Sequence, residues 1–127
     1  MSELLAAMPF AEQLAVEVDA ASKDEVRGRL PWAAERCTAG GVLHGGALMS
    51  LADSVGAICA FLNLPPGATT ATIESKTNFF RSVRDGEVVA VSRPRHVGRS
   101  SIVLQTELAD AAGNPVALVI QTPAVLA

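Results

Sequence analysis

Asp53 stands alone. No Lys or Arg occurs between Cys37 and Ser75, and the only acids in that interval are Asp53 and Glu74. No basic residue lies three or four places from Asp53, so a local helical ion pair is excluded. Apolar company disfavours the charged form of a carboxyl unless something uses it. The alternative is a solvated strip shared with Ser50 and Ser54. The segment in front decides between them. His44-Gly45-Gly46 stands where a helix should begin, and the first amides of a helix lack intrahelical acceptors and sit at the positive end of its dipole. Such amides can hold a developing oxyanion, and glycine allows a ligand close to the backbone. Nine residues at about 1.5 Å each put His44 and Asp53 roughly 13 Å apart along the axis. A site using both therefore draws Asp53 from a second copy of the chain.

The element that must position these groups is the stretch from His44 to Leu62. Leu48, Leu51, Ala52, Val55, Cys59 and Leu62 recur at three- and four-residue intervals, and Met49, Ala57, Ile58 and Phe61 carry apolar character round the other faces. This predicts one long helix enclosed by other structure. Before it, a short helix is expected within residues 2–13, with Pro9 breaking or starting it, followed by two half-buried strands near residues 14–19 and 25–30. Residues 31–41 form a loop. After it, Pro65-Pro66-Gly67 ends the helix and the period changes to two. Ala71, Ile73, Ser75, Thr77 and Phe79 alternate with Thr72, Glu74, Lys76, Asn78 and Phe80 in one strand. Further strands span residues 87–97, with Pro94 marking a bulge or an edge, then 101–109 and 116–126. Two strands, one buried helix and four strands make an α+β domain in which an antiparallel sheet packs on the helix. A length of 127 residues fits one domain over residues 1–127.

His44-Gly45-Gly46, the small and apolar run, and Leu51-Ala52-Asp53-Ser54 resemble the helix signature of the hotdog-fold thioesterases. They are closest in pattern to the subgroup typified by the phenylacetate-pathway acyl-CoA thioesterase and the hydroxybenzoyl-CoA thioesterases. The resemblance runs from about Glu25 to the C-terminus. It implies a curled antiparallel sheet round a central helix, and hydrolysis of acyl-CoA or aryl-CoA thioesters. It also implies a homodimer or homotetramer (a dimer of dimers) with the active site at the subunit interface. In the roles it implies, the Gly45 amide, with Gly46 beside it, holds the oxyanion. Asp53 acts as general base or as nucleophile, and His44 orients the thioester. Two positions depart from the family pattern. Thr38 stands where relatives carry Asn or Gln, and Ala57 where some carry Ser or Thr. Thr72 falls near a position where some relatives place a serine.

Residues 76–99 concentrate Lys76, Arg81, Arg84, Arg93, Arg95 and Arg99 against only Asp85 and Glu87. Guanidinium groups pair with phosphates in a bidentate manner. Some of Arg81, Arg84, Arg95, His96 and Arg99, with Ser82 and Gly98 beside them, are therefore candidate coenzyme A contacts, and His96-Val97-Gly98-Arg99 resembles a family strand-end pattern; a solvated sheet face is the alternative. A net charge of −3 argues against nucleic acid. No GxSxG, Walker or HExxH motif is present. Cys37 and Cys59 form no ligand cluster and are expected to be reduced, and neither a metal nor a cofactor is expected. Without a secretory signal in the first residues, and with Asp53 interrupting the one apolar run, a cytoplasmic protein away from membranes is expected. Two other readings are a non-catalytic acyl-CoA binding or sensing protein and a hotdog hydratase or dehydratase of acyl thioesters.

Overall fold

The computed structural model describes residues 2–127. In chain order its elements are α1 (Ser2–Ala6), α2 (Pro9–Gln13), β1 (Glu17–Ala21), β2 (Val26–Pro31), a 3-10 turn (Ala34–Arg36), α3 (Gly45–Leu62), β3 (Thr69–Phe79), β4 (Glu87–Val97), β5 (Ile102–Asp110) and β6 (Pro115–Leu126). All strand pairings are antiparallel, in the order β1-β2-β4-β5-β6-β3. Pro9 opens α2 at its first turn, where the missing N–H costs nothing, so the expected single helix is two.

The concave face of this sheet holds α3. Leu51, Ala52, Val55, Cys59 and Ala60 are fully buried, against Val26 and Leu30 of β2, Val88 and Ala90 of β4, Ile102 and Leu104 of β5, and Val116 and Val119 of β6. By length and composition α3 is apolar enough to cross a membrane, and here it is the core of the fold. The small residues let it lie close to the strands. At Gly28 the approach is close enough to exclude a methyl, since a Cβ there would lie 2.7 Å from Val55 Cγ2 and 3.0 Å from the Glu17 carbonyl oxygen.

The expectation of a helix enclosed all round is corrected. Met49, Asp53 and Phe61 form an uncovered stripe along α3, with Met49 42% and Phe61 59% exposed. The sheet has one concave face and six strands, enough to cover only part of the helix circumference. The strip faces the same side as β3, an edge strand along which nearly every residue is exposed, Ile73 at 68%.

Two bulges change the predicted alternation. In β3 the register against β6 shifts between Thr72 and Glu74, so that Thr72 opposes Pro123 and Ser75 opposes Gln121. The extra residue, Ile73, turns outward, and Thr72 joins Ser75 and Thr77 on the helix side instead of facing away from them. In β4 the shift falls between Pro94 and His96. Pairing of β4 with β2 ends at Ser92, so Pro94, paired only with Leu104 of β5, stands both at a bulge and on a locally open edge.

Gly28→Ala is expected to lower stability by about 1–3 kcal/mol in urea unfolding, because the added methyl has no room. Combining it with Val55→Ala should recover part of that loss beyond additivity. Full additivity would show that β2 and α3 do not meet there.

Candidate active site

The chain is led to the start of α3 by three fixed points. Cys37 and Leu43 form an isolated bridge, the Leu43 amide donates to the Val83 carbonyl at 2.9 Å, and the His44 amide donates to the Arg36 carbonyl at 2.9 Å. His44 is the N-cap, with extended backbone, and its carbonyl accepts from the amides of Ala47 and Leu48. Its Nδ1 accepts from the Gly46 amide at 2.8 Å, which leaves the ring proton on Nε2 in the neutral tautomer and makes that nitrogen an outward donor. Gly46 must be bare, since a Cβ would lie 2.9 Å from His44 Nδ1.

With the Gly46 N–H satisfied, the Gly45 N–H is left. It meets no acceptor among the described residues. Gly45 opens into a recess with Phe79, Phe80, Arg81 and Ser82, at one end of β3. His44 and Gly46 line a second recess with Phe10, Cys37 and Ser50.

Asp53 lies two turns further along α3, in a third recess of about 270 Å³ with Phe10, Met49, Ser50, Ser54 and Ser75. Ser50 and Ser54 do not serve it, because each hydroxyl donates back to a helix carbonyl, of Gly46 and Ser50 respectively, at 2.7 Å. The partner of Asp53 comes from the sheet: Gln121 Nε2 donates to its Oδ1 at 2.9 Å. Burial of the carboxyl pushes its pKa above the ordinary aspartate value. None of the other residues lining this recess is ionisable. Although the outer side of Asp53 is exposed, its inner oxygen is anchored in the core.

Thr72 joins this group, its Oγ1 accepting from Gln121 Nε2 at 3.4 Å. Thr38 does not: it is exposed in a turn closed by its amide to the Val42 carbonyl at 2.9 Å, outside the recess beside His44. The candidate coenzyme A contacts divide. Arg81 and Ser82 sit beside Gly45. Arg95 and His96 lie at the end of β4, and Gly98 and Arg99 in the turn that follows, which reaches Ala124 of β6 through Ser101 and so lies at the Thr69 end of β3. Among the described residues Arg95, His96 and Arg99 carry no ion pair, whereas Arg93 is bound by Glu25 at 2.7 Å and Arg84 reaches the Gly40 carbonyl at 3.2 Å. His96 folds over Gly98, where a Cβ would lie 2.7 Å from its Nε2. Among the described residues no group of His, Cys, Asp and Glu is arranged to hold a metal ion.

Gln121 was missed in the sequence because nothing near it marks a site. It sits among Val119, Ile120, Thr122 and Pro123 in an ordinary strand pattern. Its alternation with Val119 and Pro123 placed it inward, and a polar residue at an inward position is the one signal that could have found it.

Residues 40–117 match the family model described as the thioesterase superfamily. The chain is 36% identical over 74 residues to the 1,4-dihydroxy-2-naphthoyl-CoA hydrolase of Escherichia coli, which covers 58% of this chain and 54% of that protein. The chain thus spans about half the length of that relative. It is 28% identical over 103 residues to the proofreading thioesterase EntH of Cronobacter turicensis, covering 81% of this chain and 75% of that one. Its fold matches the crystal structure of a mutant thioesterase from Pseudomonas aeruginosa with a TM-score of 0.93 at 27% identity, over 98% of this chain and 92% of the other. An antiparallel sheet wrapped on one central helix, an open helix N-terminus and a family match over the segment that contains both His44 and Asp53 lead to one conclusion: this chain belongs to the thioesterase superfamily, the hotdog-fold enzymes that hydrolyse thioesters.

Proposed function

We propose that this protein hydrolyses acyl-CoA or aryl-CoA thioesters at a site shared by two copies of the chain, one giving the Gly45 amide and the other Asp53. The observation that carries this is the unequal fate of the two glycine amides. The His44 ring takes the N–H of Gly46 and leaves that of Gly45 free at the positive end of an 18-residue helix. A preorganised donor aimed at the carbonyl oxygen of a thioester under attack contributes on the order of 10²–10³ in rate. His44 Nε2–H is a second donor for the same end of the substrate. Asp53 then removes a proton from the attacking water, and collapse of the oxyanion breaks the C–S bond and expels the coenzyme A thiolate, which takes up that proton. Alternatively, Asp53 attacks the carbonyl itself, expels the thiolate and forms an anhydride that water opens to the free acid, the water's proton going to the thiolate.

Geometry favours two copies. Gly45 and Asp53 are eight residues apart on a straight helix, roughly 12 Å, and they line different recesses. The edge strand β3 offers 11 residues of backbone with an open hydrogen-bonding side and exposed Ile73 and Phe79. Such an edge is a template for another strand. Antiparallel pairing of two β3 edges about their middle brings the Gly45, Arg81 and Ser82 end of one copy to the Asp53, Thr72, His96 and Arg99 end of the other. The divided coenzyme A contacts become one basic set, as phosphate binding needs.

The acyl group has room beyond Asp53. One turn on, Ala57, Ile58 and Phe61 line an apolar recess of about 360 Å³ with Leu4 and Met8. The Escherichia coli relative acts on an aryl-CoA, which supports the aryl branch of the family, the phenylacetate and hydroxybenzoyl type, as the substrate class. A substrate of this kind and a reduced Cys37 and Cys59 suit a cytoplasmic enzyme. The sensing alternative draws on one observation, the exposed Thr38 standing clear of the site.

Asp53→Asn is expected to reduce release of free thiol from benzoyl-CoA by 10³-fold or more while leaving substrate binding within a few-fold. Retained hydrolysis would remove Asp53 from the mechanism, and a wild type that binds without turnover would favour the sensor. Because burial raises the folded-state pKa of Asp53, its ionisation opposes folding at pH values above that pKa. The Asn variant should therefore melt no lower than the wild type at pH 7, and the difference should close as acid protonates the wild-type carboxyl. For the same reason kcat should fall on the acid side with a midpoint above the ordinary aspartate value of about 3.9.

Sedimentation should give a dimer or tetramer. An active monomer would contradict the shared site.

A further inference from the structure

We infer that Gln121 is the positioning residue for the Asp53 carboxylate, reaching from the core side of β6 through the gap at Gly56 to hold one carboxylate oxygen against the helix. This rests on the reading of Asp53 as the reacting carboxylate. Gln121 is 1% exposed, and both hydrogens of its amide nitrogen are directed, one to Asp53 Oδ1 at 2.9 Å and the other toward Thr72 Oγ1 at 3.4 Å. Thr72 reaches the helix side only because of the bulge at Ile73. The carbonyl oxygen of the same amide, Oε1, is buried with no partner.

That unpaired oxygen is informative. A planar amide cannot turn one end without the other, so aiming Nε2 at the carboxylate forces Oε1 at the helix backbone. There it lies over Gly56, where a Cβ would collide with Oε1 and lie 3.2 Å from Cδ. A Leu or Met at position 121 would fill the space with no unpaired polar atom, and an unsatisfied buried carbonyl is costly. The arrangement thus gives up stability at Oε1 and at a mid-helix glycine to secure one hydrogen bond to Asp53. Donating to the ionised carboxylate favours that form, against the burial that opposes it. It also fixes the inner oxygen, so that Oδ2 alone faces the uncovered side of α3. Apart from Asp53, the residues lining this recess are Phe10, Met49, Ser50, Ser54 and Ser75, none of which carries a charge. Gln121, beneath the recess, is the one side chain among the described residues that hydrogen-bonds the carboxylate.

The test uses Gln121→Met and the isosteric Gln121→Glu in the full chain. It reads kcat and KM with benzoyl-CoA, the melting temperature, and the carboxyl-13C titration of Asp53, which needs no turnover. In Gln121→Met the Asp53 midpoint should rise by about one pH unit, a tenfold change in its ionisation constant. In the same variant kcat should fall about tenfold, with KM within twofold. Gln121→Glu, which trades the donor for a second carboxyl, should raise the midpoint further. If Gln121→Met does not fold, Gly56→Ala, which displaces Oε1 with Gln121 still present, is read in the same way. A changed melting temperature with the Asp53 midpoint and kcat unmoved makes Gln121 a packing residue and overturns the inference. Asp53→Asn separates the two readings: if that variant still hydrolyses, the active-site reading fails, while the 13C midpoint continues to decide whether Gln121 sets the state of Asp53.

Discussion

The depth at which α3 lies in the sheet is the constraint from which the other features follow. Gly, Ala, Ser, Val and Cys make up 11 of the 18 residues of α3 and give it a thin profile, so the strands close over it to the distance seen at Gly28, where Val55 leaves no space for even one methyl. Helix and sheet must therefore be matched residue by residue, with Gly28 bare where Val55 projects and Gly56 bare where Gln121 projects. Close packing of this kind transmits position: Asp53 is held not by its own helix but by a side chain of the strand beneath it.

The same packing leaves chemistry at the surface. Six strands cover the sides of α3 that carry Leu51, Val55 and Cys59, and the remaining stripe of Met49, Asp53 and Phe61 is open beside an edge strand with few buried side chains. On an isolated chain this would be a wasted apolar surface and an aggregation hazard. In the dimer proposed above it becomes half of a cleft, with an acid placed in it and an open helix end two turns away. The N-terminus of α3 is prepared in a complementary way. His44 caps the Gly46 amide with its ring and leaves the preceding Gly45 amide uncapped, so a single feature both starts the helix and leaves the backbone donor on which the proposed reaction draws.

Much of this was legible beforehand. The isolation of Asp53, the two glycines after His44 and the three-and-four spacing of the apolar residues locate the helix to within one residue of Gly45–Leu62. Alternation locates five of the strands to within two residues, whereas β1 starts at Glu17 and not near Leu14, which caps α2, and Pro94 is the point of irregularity its residue type predicts. These are local signals, carried by residue type and spacing along one segment. Around the site two expectations differ from the structure. The faces of β3 were misread because a bulge is a property of a strand pair and leaves no mark in a single strand's alternation. The full enclosure of α3 was overestimated because an apolar residue facing a partner or substrate looks, in sequence, like one facing the core.

By itself, then, the amino-acid sequence determined the order of elements, the central helix, its capping histidine and the carboxyl in apolar company, all of which depend on neighbours within a few residues. Tertiary structure alone decided what touches that carboxyl. Gln121 is 68 positions from Asp53, and Thr72 turns toward both only through a shift in register. Side chains so far apart in the chain meet because a strand and a helix pack at one distance and one register, and those quantities are set by the whole sheet.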